Sequence, residues 1–484
     1  MTFRAPVRDI AFSLAAVGHK ELAQRAFSEL DDDTVQAILL AAGAFVEDHL
    51  APLNRIGDQQ GARYENGKVT CAPGFPEAYR AFSQGGWNSL SAEPEHGGQG
   101  LPKALELGVF EMVQAANMAF ALCPMLTQGA IEALALVGSE RQKALYLPRL
   151  VSGEWTGTMN LTEPQAGSDL SALTTRAEPD GLGGYRLHGQ KIFITWGDHD
   201  AADNIVHLVL ARLPDAPPGV KGISLFLATK QLVGDDGALR GPNDLRPGGI
   251  EHKLGIHASP TCIMLFEGAK AEMVGGPGEG LPNMFLMMNA ARLQVGMQGV
   301  AIAERAWQQA MEFAQERRQG RSPWSAEQPA KIYDHPDVRL MLALAKAKIE
   351  AARGICLMTA VLADEARVGE GEAERAAAAA RRDLLTPIAK AWSTDLGVEI
   401  ASTALQVHGG MGFVEETGAA QHYRDARIAP IYEGTNGIQA MDLVGRKLPM
   451  ADGAVVRALA ADMLATAEAL SAAEGLAPVG KRLA

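Results

Sequence analysis

Along this chain the spacing of apolar residues changes character twice. From Asp31 onward Val35, Ile38, Leu39, Ala42, Phe45 and Val46 recur at steps of three and four, which predicts an amphipathic helix that Asp33 or Thr34 can cap. The same period continues through 77–84, 103–118, 127–137 and 139–150. It is interrupted by GGWNSLSAEPEHGGQGLP at 85–102, whose glycines and prolines predict a long, shaped loop. After Gly153 the period shortens: GYRLHGQKIFITW, NIVHLVLAR, GISLFLAT and TCIMLFEG read as strands of an all-β insert of about 120 residues. Within it, 231–250 carries few apolar side chains and several breakers, which predicts an extended loop. Helical periodicity returns near Asn283, with helices expected over 283–319, 334–367, 372–408 and 437–449, enough for a bundle.

The order is therefore helical, β, helical: a mainly α chain with a β middle domain. No βαβ alternation and no G-x-G-x-x-G opening a helix after a strand is seen, which argues against a Rossmann domain. The divisions expected are an extension at 1–34, a helical domain at 35–152, a β domain at 153–276, a helical bundle at 277–450 and a tail at 451–484 that reads as one helix with a frayed end.

Composition narrows the function classes. With 484 residues at 47% apolar and 21% charged, the chain can bury a large core. An aromatic share of 6% beside 52 glycines and Ala-rich runs favours helices packed closely through small side chains. The balance of 44 basic against 57 acidic residues, a net −13, offers no general field for nucleic-acid phosphates. Cys71, Cys123, Cys262 and Cys356 lie far apart without metal-ligand spacing, so no disulfide framework and no metal site is expected, and a reducing cytoplasm fits best. The N-terminus lacks the plan of a signal peptide, and no stretch approaches ~18 uncharged apolar residues, so no integral membrane association is expected.

Two segments carry candidate chemistry. TMNLTEPQAGSDLSALTTRA is a hydroxyl-rich, Gly-broken loop entering the β region, able to offer N–H and hydroxyl groups to an anionic or heteroaromatic ligand. An Asx or capping turn at Thr162, Gly167, Ser168 and Asp169 explains the same residues without a ligand. The second is LQVHGGMGFVEETGAAQHYRDARIAPIYEGTNGIQAMDL, where Gly409, Gly410 and Gly412 end a helix and allow close backbone approach. There Glu433 sits in a Pro-led loop just before a helix that Thr435 can cap; an isolated Y-E-G would more often be a solvated loop carboxylate.

Taken in order, PEHGGQG, TEPQAGSD, GQKIFIT, the Arg of NAAR, ERRQGR, QVHGGMG and YRDARIAPIYEGTNGIQ resemble the acyl-CoA dehydrogenase family over about residues 35 to 449. The prefix FRAPVRDIAFSL and the long loop before GIEHKLGIHASPT look most like the bacterial subgroup that includes 3-methylmercaptopropionyl-CoA dehydrogenases. Members of that subgroup usually carry a further helical extension at the C-terminus. The resemblance implies a barrel-like β domain between helical N- and C-terminal domains, a C-terminal four-helix bundle, and noncovalently held FAD.

Carried over position by position, Met159, Leu161, Thr162, Gly167 and Ser168 would line the flavin and the pantetheine arm, with Phe193, Ile194 and Thr195 against the flavin. Many relatives have Trp where Phe193 stands. Arg317, Gln319, Gln406, Gly409 and Gly410 would meet the pyrophosphate and adenosine, in relatives across a subunit boundary, which implies a homodimer or homotetramer. Thr435 and Gly437 would lie toward the cofactor, and Ser168, Asn289, Arg292, Tyr432 and Gly434 toward the substrate. A helix-surface ion pair is the competing account of Arg292, a solvated charged face that of Arg317, and ordinary core packing that of Met284, Met287 and Met288.

The resemblance makes Glu433 the base that removes the α-proton of an acyl-CoA thioester while the β-hydride passes to flavin N5, yielding the trans-2-enoyl-CoA. Some relatives place the base directly before the Arg of the helix, where this chain has Ala291. An electron-transferring flavoprotein is the implied acceptor. Competing readings are an acyl-CoA oxidase and a DNA-protective flavoprotein of the same fold; the latter calls for a basic C-terminal face, which 450–484 lacks.

Overall fold

A computed structural model describes residues 3–27 and 30–484. The N-terminal part comprises α1 (Val7–Ala16), α2 (His19–Ala26), α3 (Asp32–Phe45), α4 (Ala51–Gln60), α5 (Phe75–Gln84), α6 (Lys103–Ala116), α7 (Met118–Val137) and α8 (Glu140–Val151). Asp31, and neither Asp33 nor Thr34, caps α3: it is the last extended residue, and its carboxylate accepts the Thr34 N–H at 2.8 Å. Between α4 and α5 a hairpin, β1 (Arg63–Glu65) and β2 (Lys68–Thr70), turns on Asn66-Gly67, both with positive φ.

Helix α7 begins at Met118 instead of near 127, because Asn117 caps it by accepting the Phe120 N–H at 3.1 Å. By length and composition α7 could cross a membrane, which corrects the expectation that no stretch is that apolar. Its residues are nearly all buried here, against α9 and the β domain, as a core helix.

The β domain holds β3 (Trp155–Asn160), β4 (Arg176–Pro179), β5 (Tyr185–Thr195), β6 (Asn204–Arg212), β7 (Ile223–Thr229), β8 (Gln231–Val233), β9 (Leu239–Pro242), β10 (Leu245–Ile250) and β11 (Thr261–Val274). Pairing runs β11–β5–β4–β6–β7 and returns to β11, which closes a barrel; β3 flanks β6 in parallel and β10 flanks β11. Leu187, Val209, Phe226, Met264 and Phe266 fill its interior. Two expectations change. The start of the hydroxyl-rich segment is the fully buried strand β3, because α7 lies on it; a Cβ at Gly157 would stand 2.5 Å from that of Ala130. The 231–250 segment is a hairpin and an edge strand, polar because much of it faces solvent.

The C-terminal domain is built on α9 (Gly280–Glu316), α10 (Pro336–Val368) and α11 (Glu372–His408), followed by α12 (Ala419–Ala426) and α13 (Asn436–Asp442) with a π turn at Leu443–Lys447. The tail forms two helices, α14 (Ala454–Ala472) and α15 (Ala477–Leu483), where one was expected; Gly475, at φ 76°, reverses the chain between them.

Candidate active site

Helices α9 and α11 run parallel, because α10 returns between them, and they touch through glycine. A Cβ at Gly299 would stand 2.1 Å from the Ser393 carbonyl oxygen, and one at Gly296 2.9 Å from that of Ala389. This contact brings Arg292 of α9 and Lys390 of α11 under the loop that precedes α13. Thr435 caps α13 as expected, accepting the Ile438 N–H at 3.2 Å.

Glu433 in that loop has φ 57° and Gly434 φ 81°. A side-chain-bearing residue in this region costs about 1–3 kcal/mol and persists only where its surroundings hold it. Here the Glu433 carbonyl accepts from Arg292 Nε at 3.4 Å and Gln439 Nε2 at 3.3 Å, and the Gly434 carbonyl from Lys390 Nζ at 2.9 Å. The Tyr432 hydroxyl donates to Gln298. The Glu433 carboxyl group itself accepts no hydrogen bond from the described residues. Burial raises it to about 7, against the opposing pull of the Arg292 and Lys390 cations. An ionisable, half-buried carboxyl with no partner of its own suits proton abstraction better than structure.

Arg292 is buried, donates to Asn289 Oδ1 at 3.2 Å and faces Asp442 at 3.6 Å, so it is no helix-surface ion pair. Gly437 is exposed, with open space beyond Thr435. Met284 and Met287 are fully buried core residues; Met288 is half-buried. Lys390, Gln439, Gln298 and Asn436 are the neighbours of this loop that the sequence reading missed.

On the barrel side, Ile192 N donates to the Thr162 carbonyl at 2.9 Å and Thr158 Oγ1 to that of Thr195 at 2.8 Å, which lays the 158–162 segment alongside 192–195. The pin of this contact is Glu163, whose carboxylate meets Lys191 Nζ at 2.9 Å and the Thr175 hydroxyl at 2.5 Å. Burial alone would raise that carboxyl; Lys191 and Thr175 overcome it and hold it at about 2. Asp169 does form an Asx turn, accepting the Ser171 N–H at 2.8 Å, while Gly167 and Ser168 stay exposed. Phe193, at φ 59° on a β-bulge, is 59% exposed, an unusual position for a ring without a partner. Ile194 points into the barrel core, so only its main chain can meet a ligand.

A third group lies apart. Arg317 and Gln319 follow the C-terminus of α9, and Gln406, Gly409 and Gly410 end α11; all are exposed, and Phe313 stacks on His408 between the two ends at 4.6 Å. A cavity of about 870 Å³ opens here, lined by Arg305, Phe313, His408 and Met411 among others, and not beside Glu433. From Arg292 to Phe313 α9 makes nearly six turns, about 30 Å of rise. The donor set fits FAD: an exposed ring to stack, hydroxyls and main-chain groups around it, and an exposed guanidinium fork for a pyrophosphate. The acidic trio Asp9, Glu304 and Glu350 already contains its cations, Lys346 and Arg353.

Family models for the acyl-CoA dehydrogenase N-terminal, middle and C-terminal domains match residues 32–154, 158–269 and 278–448. The chain belongs to the acyl-CoA dehydrogenase family. 3-Methylmercaptopropionyl-CoA dehydrogenase of Ruegeria pomeroyi is 49% identical to it over 471 residues, 97% of this chain and 80% of that protein. A butyryl-CoA dehydrogenase of Syntrophomonas wolfei is 36% identical over 84% of this chain and 68% of its own. Among solved structures, butyryl-CoA dehydrogenase of Megasphaera elsdenii aligns with a TM-score of 0.71 at 29% identity, covering 86% of this chain and 98% of that one. Acyl-CoA dehydrogenases are flavin-dependent oxidoreductases, and the helical, β-barrel, helical order described above is their fold.

Proposed function

We propose that this acyl-CoA dehydrogenase binds FAD and that Glu433 removes the α-proton of a short or medium acyl-CoA, or of 3-methylmercaptopropionyl-CoA. The observation that carries the reading is the Glu433 carboxyl itself: half-buried, accepting no hydrogen bond among the described residues, raised to about 7, and held on a left-handed backbone by three side chains. A base of that affinity for protons is deprotonated for much of the time near neutrality and still accepts a proton readily.

In this reading Glu433 takes the proton from carbon two, and its own N–H meets the negative charge that builds on the thioester oxygen. Arg292, Asn289, Tyr432, Gly434 and Ser168 orient the substrate. Met159, Leu161, Thr162, Gly167, Ser168 and 193–195, with Thr435 and Gly437 nearby, would hold FAD, whose flavin would supply the hydride acceptor. The rise of about 30 Å along α9 from Arg292, beside Glu433, to Phe313, beside the Arg317, Gln319, Gln406, Gly409, Gly410 group, supports a site shared between copies in a homodimer or homotetramer. The working divisions are 35–152, 153–276 and 277–450, flanked by 1–34 and 451–484. We assign electrons to an electron-transferring flavoprotein and the chain to the cytoplasm, where its four free, buried thiols are at home.

The test is a dye-coupled assay over straight-chain acyl-CoAs and 3-methylmercaptopropionyl-CoA with wild type and Glu433→Gln. The variant is expected to keep its flavin and lose about 10³-fold or more in turnover. Wild-type turnover in the variant overturns the assignment, and peroxide release equal to turnover in air makes the enzyme an oxidase.

A further inference from the structure

We propose that Lys390 is a positioning residue for Glu433, fastening the loop that bears the carboxylate and supplying a positive field beneath it. This rests on Glu433 being the base.

Lys390 is fully buried on α11. Its Nζ donates to the Gly434 carbonyl and to Asn436 Oδ1, each at 2.9 Å. Asn436 is fixed in turn, donating to the Ala391 carbonyl at 3.1 Å and to Asp395 Oδ1 at 2.8 Å. The ammonium thus rests on two neutral oxygens, and no carboxylate among the described residues lies in ion-pair contact with it. A neutral side chain could satisfy those acceptors, and burying a cation without a contact anion is costly, so the charge points to a task of its own. The anions that act on it through space are Glu433 and Asp395.

Among the described residues, the charged and titratable groups that face Glu433 are Arg292 from α9, Lys390 from α11 and Tyr432 from the loop, with Asp442, Arg446 and Asp395 one layer behind. Burial lowers Lys390 to about 8, against the opposing pull of Glu433 and Asp395. It is therefore charged over the range in which Glu433, at about 7, loses its proton. The ammonium stabilises the carboxylate form and brings the base into service at lower pH than burial alone would allow.

The test compares wild type, Lys390→Arg, Lys390→Gln and Glu433→Gln, with folding checked by thermal melts. Glu433 protonation is followed by infrared difference spectroscopy with Glu433→Gln as the blank, beside the pH profile of kcat/KM. Lys390→Gln keeps a donor and removes the charge. Its carboxyl titration and acid limb should move up by about one unit, so that kcat/KM near pH 6.5 falls about tenfold and recovers toward pH 9. Lys390→Arg should leave the limb within about 0.3 units of wild type.

Coupling is reciprocal, so in Glu433→Gln the Lys390 ammonium, followed by NMR of a labelled ε-carbon, should titrate lower by a matching amount. That measurement decides the matter where Lys390→Gln does not fold. An unmoved Glu433 titration in folded Lys390→Gln, or an unmoved Lys390 in Glu433→Gln, overturns the proposal. Full turnover by Glu433→Gln overturns instead the reading on which it rests.

Discussion

Lys191 Nζ lies 2.9 Å from Glu163 Oε1 in the wall of the β-barrel, and neither side chain reaches solvent. The pair ties the TEPQAGSD loop to β5, the strand that carries Phe193. Removing one partner leaves a lone charge in a dry site, and such breaks cost about 3–5 kcal/mol. Lys191→Met is therefore expected to lower the urea midpoint sharply, while the double change with Glu163→Gln recovers part of the loss. Because Glu163 is held at about 2 in the folded state against an ordinary 4.5, its contribution is complete above 4.5 and disappears as pH falls toward 2. Acid unfolding of Glu163→Gln should be flatter across that window.

Glu433 has the opposite linkage. Its folded value, about 7, lies above the ordinary 4.5, so the folded state binds the extra proton and stability declines as pH rises from 4.5 to 7. Glu433→Gln is expected to be more stable than wild type above pH 7, by about 1–3 kcal/mol in chemical denaturation. The same group predicts a wild-type kcat/KM profile that falls tenfold per unit below about pH 7. A profile flat down to pH 5 contradicts it.

Phe193 tests the cofactor surface. Being 59% exposed, it contributes little to folding, and Phe193→Ala should shift the melting temperature of the flavin-free protein by no more than about 2 °C. Affinity for FAD, read by quenching of flavin fluorescence on titration, should fall about tenfold as the stacking face is lost. Unchanged affinity would show that this ring does not touch the flavin.

Gly299 has no room for a methyl group, with the Ser393 carbonyl oxygen 2.1 Å from where it would go. Gly299→Ala must push α9 away from α11, at about 1–3 kcal/mol or more. Arg292 and Lys390 ride on these two helices, so the displacement should also cost turnover. A thermal melt and a kcat measurement on the same preparation check both.

Glu433 is legible in the sequence because a Pro-led loop, an N-cap threonine and the family's motif converge on one position. Lys390 is not, since IAKAWSTD has the look of an ordinary helix face, and only the close passage of α9 turns that face inward. Strand β3 is hidden for a related reason: its hydroxyl side chains suggest a loop, yet they are buried and hydrogen-bonded, as when Thr158 Oγ1 donates to the Thr195 carbonyl at 2.8 Å. The 231–250 strands fail the apolar test because a barrel rim buries little. Periodicity reports burial, and it goes silent wherever polar groups are buried in pairs or strands are left in solvent.

The glycine seam between α9 and α11 makes of two helices a ruler. The span from the carboxylate loop to the exposed Arg317 end is fixed by helical rise, without reference to any connecting turn. Loop evolution can thus retailor what either extremity grips, while the gap between the grips stays constant.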